Sequence, residues 1–201
     1  MKTQILILSI ALLLNSCSAN DDSFTPKLPP ITTIGANTFG CFVDGALLTP
    51  RDGTGSTLGP DSGMSYLGLG EPPSYIYNEI SIRDFVSGTG GLLDIHIVDL
   101  DENSEGDFII NQSNCEDGID ANPTVNIRCR IWDNDEEIFK WYCSIENAGT
   151  ITILRYDFDN RIVSGRFNCT MQNRDNPNEM IEITDGRFDI KWDTLPETDF
   201  P

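Results

Sequence analysis

Histidine is nearly absent from this 201-residue chain, with His96 the single copy. That argues against zinc sites built on histidine, and no Cys-x-x-Cys spacing offers a thiolate alternative. A nucleophile–histidine–acid triad would have to recruit His96, mid-strand in DIHIVD, and nothing in the sequence brings a serine or Cys115 to it. Basic residues are scarce: 13 Lys and Arg stand against 32 Asp and Glu, for a net charge of −19. So acidic a surface repels phosphate backbones, which excludes nucleic acid as a partner. Long apolar runs are missing too. The run Ile5–Leu14, broken only by Ser9, is about half the ~20 residues a membrane helix needs. No segment carries a 3.6-residue apolar stripe, and the glycine-rich stretch at 52–63 lacks the Gly-Lys-Ser/Thr ending of a phosphate loop.

What is present begins at the first residue. Lys2, the short apolar run and the small or polar Asn15 and Ser16 before Cys17 make a secretory signal. Its end resembles the lipobox of bacterial lipoproteins. The resemblance implies a signal peptide over 1–16, a lipid on the Cys17 thiol, and an outer-membrane lipoprotein attached by that lipid. Residues 17–36, with Pro26, Pro29 and Pro30 and no periodic apolar face, read as a flexible tether. Extended at ~3 Å per residue, residues 18–36 would lift the domain roughly 55 Å. Asp21–Asp22 resembles the signal that sends some Bacteroidota lipoproteins to the cell surface.

From Phe39 onward the apolar residues alternate. Phe39, Cys41 and Val43 share one face, as do Ile76, Ile80 and Ile82, then Leu93, Ile95 and Ile97, then Val125, Ile127, Cys129 and Ile131. Phe139, Trp141, Cys143 and Ile145 read as the apolar face of a return strand. Val163, Phe167, Cys169 and Met171 follow, and Ile181, Ile183, Phe188, Ile190 and Trp192 close the series, with a bulge expected at Asp185–Gly186. Short strands and regular turn signals predict an all-β, antiparallel β-sandwich or barrel-like single domain over 37–195, with a tail at 196–201.

Beyond Cys17 the chain has an odd number of cysteines: Cys41, Cys115, Cys129, Cys143 and Cys169. Export permits disulfides but sequence does not choose the pairing. Cys129 and Cys143 flank one hairpin symmetrically about Glu136, which suggests a cross-strand bridge; buried reduced thiols are the alternative.

Three segments resemble a family of small Bacteroidota lipoproteins known only as a domain of unknown function. They are TFGCFVDGALLTP at 38–50, GTITILRYDFDNRIVSGRFNCTM at 149–171 and ITDGRFDIKW at 183–192. The chain departs at Leu47 and Leu48, where such proteins often carry an aromatic residue. The resemblance implies an exported, single all-β domain and brings no activity with it.

Few residues suggest chemistry. Asp99, Asp101, Asn103 and Glu105 alternate like the start of a calcium loop, but Ser104 stands where such a loop needs glycine and Ile110 where it needs its closing glutamate. A second acidic loop runs from Asp133 to Glu137. Tyr75, Tyr77 and Trp132 could stack on sugars or proteins, or simply fill cross-strand positions. Asp193-Thr194-Leu195 resembles an O-glycosylation acceptor. The expectation is a non-enzymatic, lipid-anchored domain binding a protein or glycan. The alternatives are a carboxylate-based hydrolase, needing two acids about 5–9 Å apart in a cleft, and a hollow barrel holding a small apolar ligand.

Overall fold

The computed structural model describes residues 25–55, 61–71, 74–85, 89–116 and 123–201. Ten strands form a single antiparallel sheet: β1 (Thr38–Val43), β2 (Ala46–Leu48), β3 (Met64–Glu71), β4 (Ser74–Arg83), β5 (Leu92–Val98), β6 (Gly106–Ile110), β7 (Asn126–Asp133), β8 (Ile138–Asp157), β9 (Ile162–Asn173) and β10 (Met180–Lys191). Among the described residues one helical turn, α1 (Leu100–Asn103), and a 3-10 turn at Leu195–Glu197 complete the elements. The order across the sheet is β2-β1-β10-β9-β8-β7-β5-β4-β3, with β6 also paired to β8.

The sheet curls into a half-barrel, so the all-β, barrel-like expectation holds. Alternation explains the curl: each strand turns one apolar row inward, and rolling the sheet lets those rows cover one another. Phe39, Met64, Ile80, Ile82, Leu93, Ile95, Ile97, Ile127, Ile151 and Met171 fill the interior, all within 2 % of full burial. At the open edges Arg51 bridges Asp84 beyond β4, while the rings of Tyr66 and Tyr156 stack on Trp192 at 5.2 and 6.1 Å. Asp44 and Gly45, both at positive φ (+47° and +79°), make the two-residue turn between β1 and β2. The bulge in β10 falls between Ile183 and Gly186, at the expected place.

The β7–β8 register corrects the cysteine reading. Cys129 lies opposite Tyr142 and Arg128 opposite Cys143, so the hairpin is centred between Asp135 and Glu136 rather than on Glu136. One residue of register exchanges the two faces of a strand. Cys129 therefore enters the core beside Tyr142, whereas Phe139, Trp141 and Cys143 face outward. The disulfide is Cys115–Cys143, and Cys41, Cys129 and Cys169 are free and buried.

That bridge staples the connection between β6 and β7. Both strands pair with β8, β6 along its second half and β7 along its first, and the 111–125 excursion leaves at the bulge between them. Asn111 N donates to Val125 O at 2.8 Å across the base of the excursion. Ser144, on β8 beneath, accepts from Ile127 N through its hydroxyl, which in turn donates to Asn111 O.

Both termini of the domain depart from the sequence reading. Of the expected tether over 17–36, residues 28–36 are fastened to the sheet. Arg187 donates to Pro29 O, Arg155 donates to Thr33 O at 2.7 Å, and Asp189 receives Thr32, Ile34, Gly35 and Ala36. The expected tail at 196–201 is docked as well: Phe200 is buried, and its amide donates to Asp52 at 2.8 Å.

Candidate functional site

The three family-like segments meet in space. Ser164-Gly165-Arg166-Phe167 on β9 runs antiparallel to Gly186-Arg187-Phe188-Asp189 on β10, with Gly165 facing Phe188, Gly186 facing Phe167, and Ser164 facing Asp189. Each phenyl ring lies over the opposing glycine. A Cβ at Gly165 would sit 2.6 Å from the Phe188 ring, and one at Gly186 would sit 2.6 Å from the Phe167 ring. Covering a glycine with a cross-strand aromatic recovers the packing the glycine lacks. Phe39 of the first segment joins the same cluster, 5.8 Å from Phe167.

Asp189 is the polar counterpart of this cluster. It is 1 % exposed and accepts from the Ser164 and Thr32 hydroxyls, both at 2.6 Å, and from the amides of Ile34, Gly35 and Ala36 at 2.8–3.1 Å. Burial pushes its pKa up, but the Ser164, Thr32, Gly35 and Ala36 donors outweigh that and hold the carboxyl below the usual range. The motif residues are therefore architectural: they clamp the N-terminal strap onto β9 and β10.

The other chemistry-bearing groups are also engaged. His96 is buried, with Nδ1 3.6 Å from Glu79 and its ring 4.7 Å from that of Tyr77. Asp94, the second fully buried carboxylate, is clamped by Arg83 and Arg128, both at 2.7 Å. Three strands separate Asp94 from Asp189 in the sheet order. These two carboxylates do not share a cleft of the kind glycoside hydrolysis uses. Burial pushes the three free thiols up, Cys169 to about 12, so none is a nucleophile near neutral pH.

The expected calcium loop is turned to other uses. Asp99 leads into α1 with φ +56°, Asn103 donates to the Asp99 carbonyl at 3.0 Å, and Asp101 accepts the Tyr156 hydroxyl. Glu105 is exposed on the following turn. In the second acidic loop a lysine already occupies the centre: Lys140 Nζ reaches Asp133 and Glu136 at 2.8 Å and Glu179 at 3.3 Å. The Lys140 hydrogen bond holds Asp133 down to about 2. The Tyr142 hydroxyl lowers Glu179, and burial together with that Glu179 bond raises Tyr142 to about 12. Among the described residues no three His, Cys, Asp or Glu are gathered to hold a metal.

Two features of the described surface bear on binding. On the outer face of the β7–β8 hairpin Trp132 packs edge-on against Phe139 at 5.0 Å, and Arg130 lies 4.3 Å over the Phe139 ring and 5.7 Å from that of Trp141. Trp132 thus fills a cross-strand position, and Tyr77 is buried; the Tyr75 side chain, Cys17 and Asp21–Asp22 lie outside the described residues. Thr194 is exposed, and its hydroxyl donates to Lys191 O at the start of the 3-10 turn.

The second feature is a polar groove of about 310 Å³ on the outer face of β8, β9 and β10, lined by Thr150, Thr152, Arg166, Asn168, Asp185 and Arg187, with Ile31 of the strap as one wall. Arg166 and Arg187 stand directly opposite each other. Arg187 pairs with Asp185 at 3.2 Å, whereas Arg166 is exposed with no partner among the described residues. Sequence reasoning missed this groove because Arg166 reads as an ordinary solvent-facing residue until register places it beside Arg187. Comparison with protein-family models, curated proteins and solved structures gives no match.

Proposed function

We propose that the chain is an exported, lipid-anchored surface domain of the Bacteroidota lipoprotein type that binds a partner rather than transforming one. In this reading residues 1–16 are removed, Cys17 carries the lipid, and the β8–β10 groove is the recognition surface. The observation that carries it is the groove itself: an open, hydrogen-bonding surface that keeps an unpaired guanidinium exposed on a strongly acidic domain. The histidine, the two buried carboxylates and the thiols, by contrast, are all held in structural contacts.

The test is a photo-crosslinking residue at Asn168 in the lipidated protein, irradiated in its native membrane, with the same residue at exposed Asn178 as control. A discrete adduct at 168 but not at 178 is the expected result. Equal labelling at both positions, or none, refutes the groove as a binding surface. Radiolabelled palmitate entering the wild type but not Cys17→Ala tests the anchor separately.

A further inference from the structure

We infer that the groove takes a carboxylate-bearing sugar unit, an inference that rests on the binding reading above. Two like charges directly opposite on neighbouring strands destabilise a sheet. Arg166 and Arg187 occupy such a pair, and Asp185 offsets only Arg187. A ligand carboxylate relieves the remaining repulsion, because a guanidinium fork matches its two oxygens in geometry and charge.

The rest of the lining decides what bears the carboxylate. Thr150 and Asn168 present a hydroxyl and an amide, the Thr152 hydroxyl is already given to Asp107 at 2.7 Å, Asp185 adds an acceptor, and Ile31 gives one apolar wall. This set of mixed donors and acceptors suits a ring of hydroxyl groups. A peptide fits less well for two reasons. The floor strands β8, β9 and β10 are each paired on both sides, so no backbone edge is free for strand addition. The groove also has no deep apolar pocket to seat an anchoring side chain, since Phe167 beneath it is already 97 % buried. Its volume lies at the low end for ligand sites, which fits a single small unit of a longer chain.

The net charge of −19 does not defeat an anionic ligand. At physiological ionic strength charges more than about 8 Å away are largely screened, so the potential inside the groove is set by its own lining, Arg166 and Arg187 against the single acid Asp185.

The experiment is calorimetric titration of the full-length protein in detergent, at physiological salt, with trigalacturonate and with its methyl ester. The acid is expected to bind and the ester to bind at least tenfold more weakly. Arg166→Ala is expected to weaken the acid about ten- to hundredfold, Arg166→Lys to fall between, and Arg174→Ala, an exposed arginine away from the groove, to match wild type. No binding, equal binding of acid and ester, or an unaffected Arg166→Ala overturns the inference. The Asn168 crosslink separates the two claims. An adduct there without uronate binding, or an adduct that proves to be a protein, overturns the sugar alone; failure of both overturns the binding reading as well.

Discussion

Replacing Asp189 with alanine tests whether the Gly-Arg-Phe-Asp end of β10 is architecture or a functional acid. The side chain is 1 % exposed and takes five hydrogen bonds, three of them from backbone amides of the strap. Removing it leaves the Ser164 hydroxyl buried without an acceptor, at about 1–3 kcal/mol. Thr32 and the amides of Ile34, Gly35 and Ala36 lie in a partly buried strap that can lift toward water, so each loses only the net value of its bond, about 0.5–1 kcal/mol. The sum is about 3–7 kcal/mol, and at about 2–4 °C per kcal/mol for a domain of this size Tm falls by roughly 6–28 °C. Thermal unfolding followed by circular dichroism reads the total; amide exchange at residues 34–36 reads the strap. Asp189→Asn sharpens the test. Its amide nitrogen replaces one of two accepting oxygens, so either the Thr32, Ile34 and Ala36 donors or the Ser164 and Gly35 donors must lose their acceptor. A loss under about 1 kcal/mol, with residues 34–36 still protected, would refute the clamp.

Acid weakens the same contacts. Asp189 and Glu179 are held below their usual pKa, and Asp133 and Asp157 at about 2, the last by its Arg155 and Asn160 bonds. Groups with lowered folded pKa stabilise above their unfolded values near 4, and that contribution is lost as pH falls through the folded values. Stability from these groups should hold from pH 7 to 5 and decline between about 4 and 2, as Tm against pH will read. Thiol titration of the unreduced, denatured protein should give three reactive groups besides Cys17, against none in the native fold; five would refute the Cys115–Cys143 bridge, and one would refute the free state of Cys41, Cys129 and Cys169. Cys115→Ser opens a loop 28 residues long, and loop entropy puts the loss near 3–4 kcal/mol by denaturant unfolding. Gly165→Ala forces a Cβ to 2.6 Å from the Phe188 ring and 2.8 Å from Thr152 O. It should cost about 1–3 kcal/mol, and a neutral result would show that ring to be movable.

Much of the fold was legible because alternation reports burial directly. Ile80, Ile82, Leu93, Ile95, Ile97, Ile127, Val163, Phe167, Met171 and Ile190 all face the core as their period-2 positions require. The β7–β8 hairpin was misread where that signal is ambiguous: Phe139, Trp141 and Cys143 alternate as well as Tyr142 and Ser144 do, and the turn centre alone decides between them. Aromatics on the outer face mimic a core row when arginines cover their rings, as Arg130 covers Phe139. The strap was misread because three prolines and no periodicity look like a linker. What orders it is remote in sequence: the Asp189 carboxylate, helped by Arg155 and Arg187, all more than 120 residues away. The groove was not legible at all, since it exists only where three strands align.

Where the few cations stand gives the groove its weight. Arg83 and Arg128 neutralise Asp94, Arg51 meets Asp84, and Lys140 sits among three carboxylates. Arg155 and Arg187 pair with Asp157 and Asp185 while also holding the strap by its carbonyls, and Arg174 and Lys191 pair with neighbouring acids. Arg130 and Arg161 lie over aromatic rings. In a chain with 32 acids and 13 bases, a cation left without an anion or a ring is the unexpected case. Apart from Lys27 in the strap, Arg166 is that case among the described residues, and its neighbour across the strand is another arginine. Folding alone gives no reason to set two guanidinium groups face to face beside an open groove; the proposed anionic ligand would supply one.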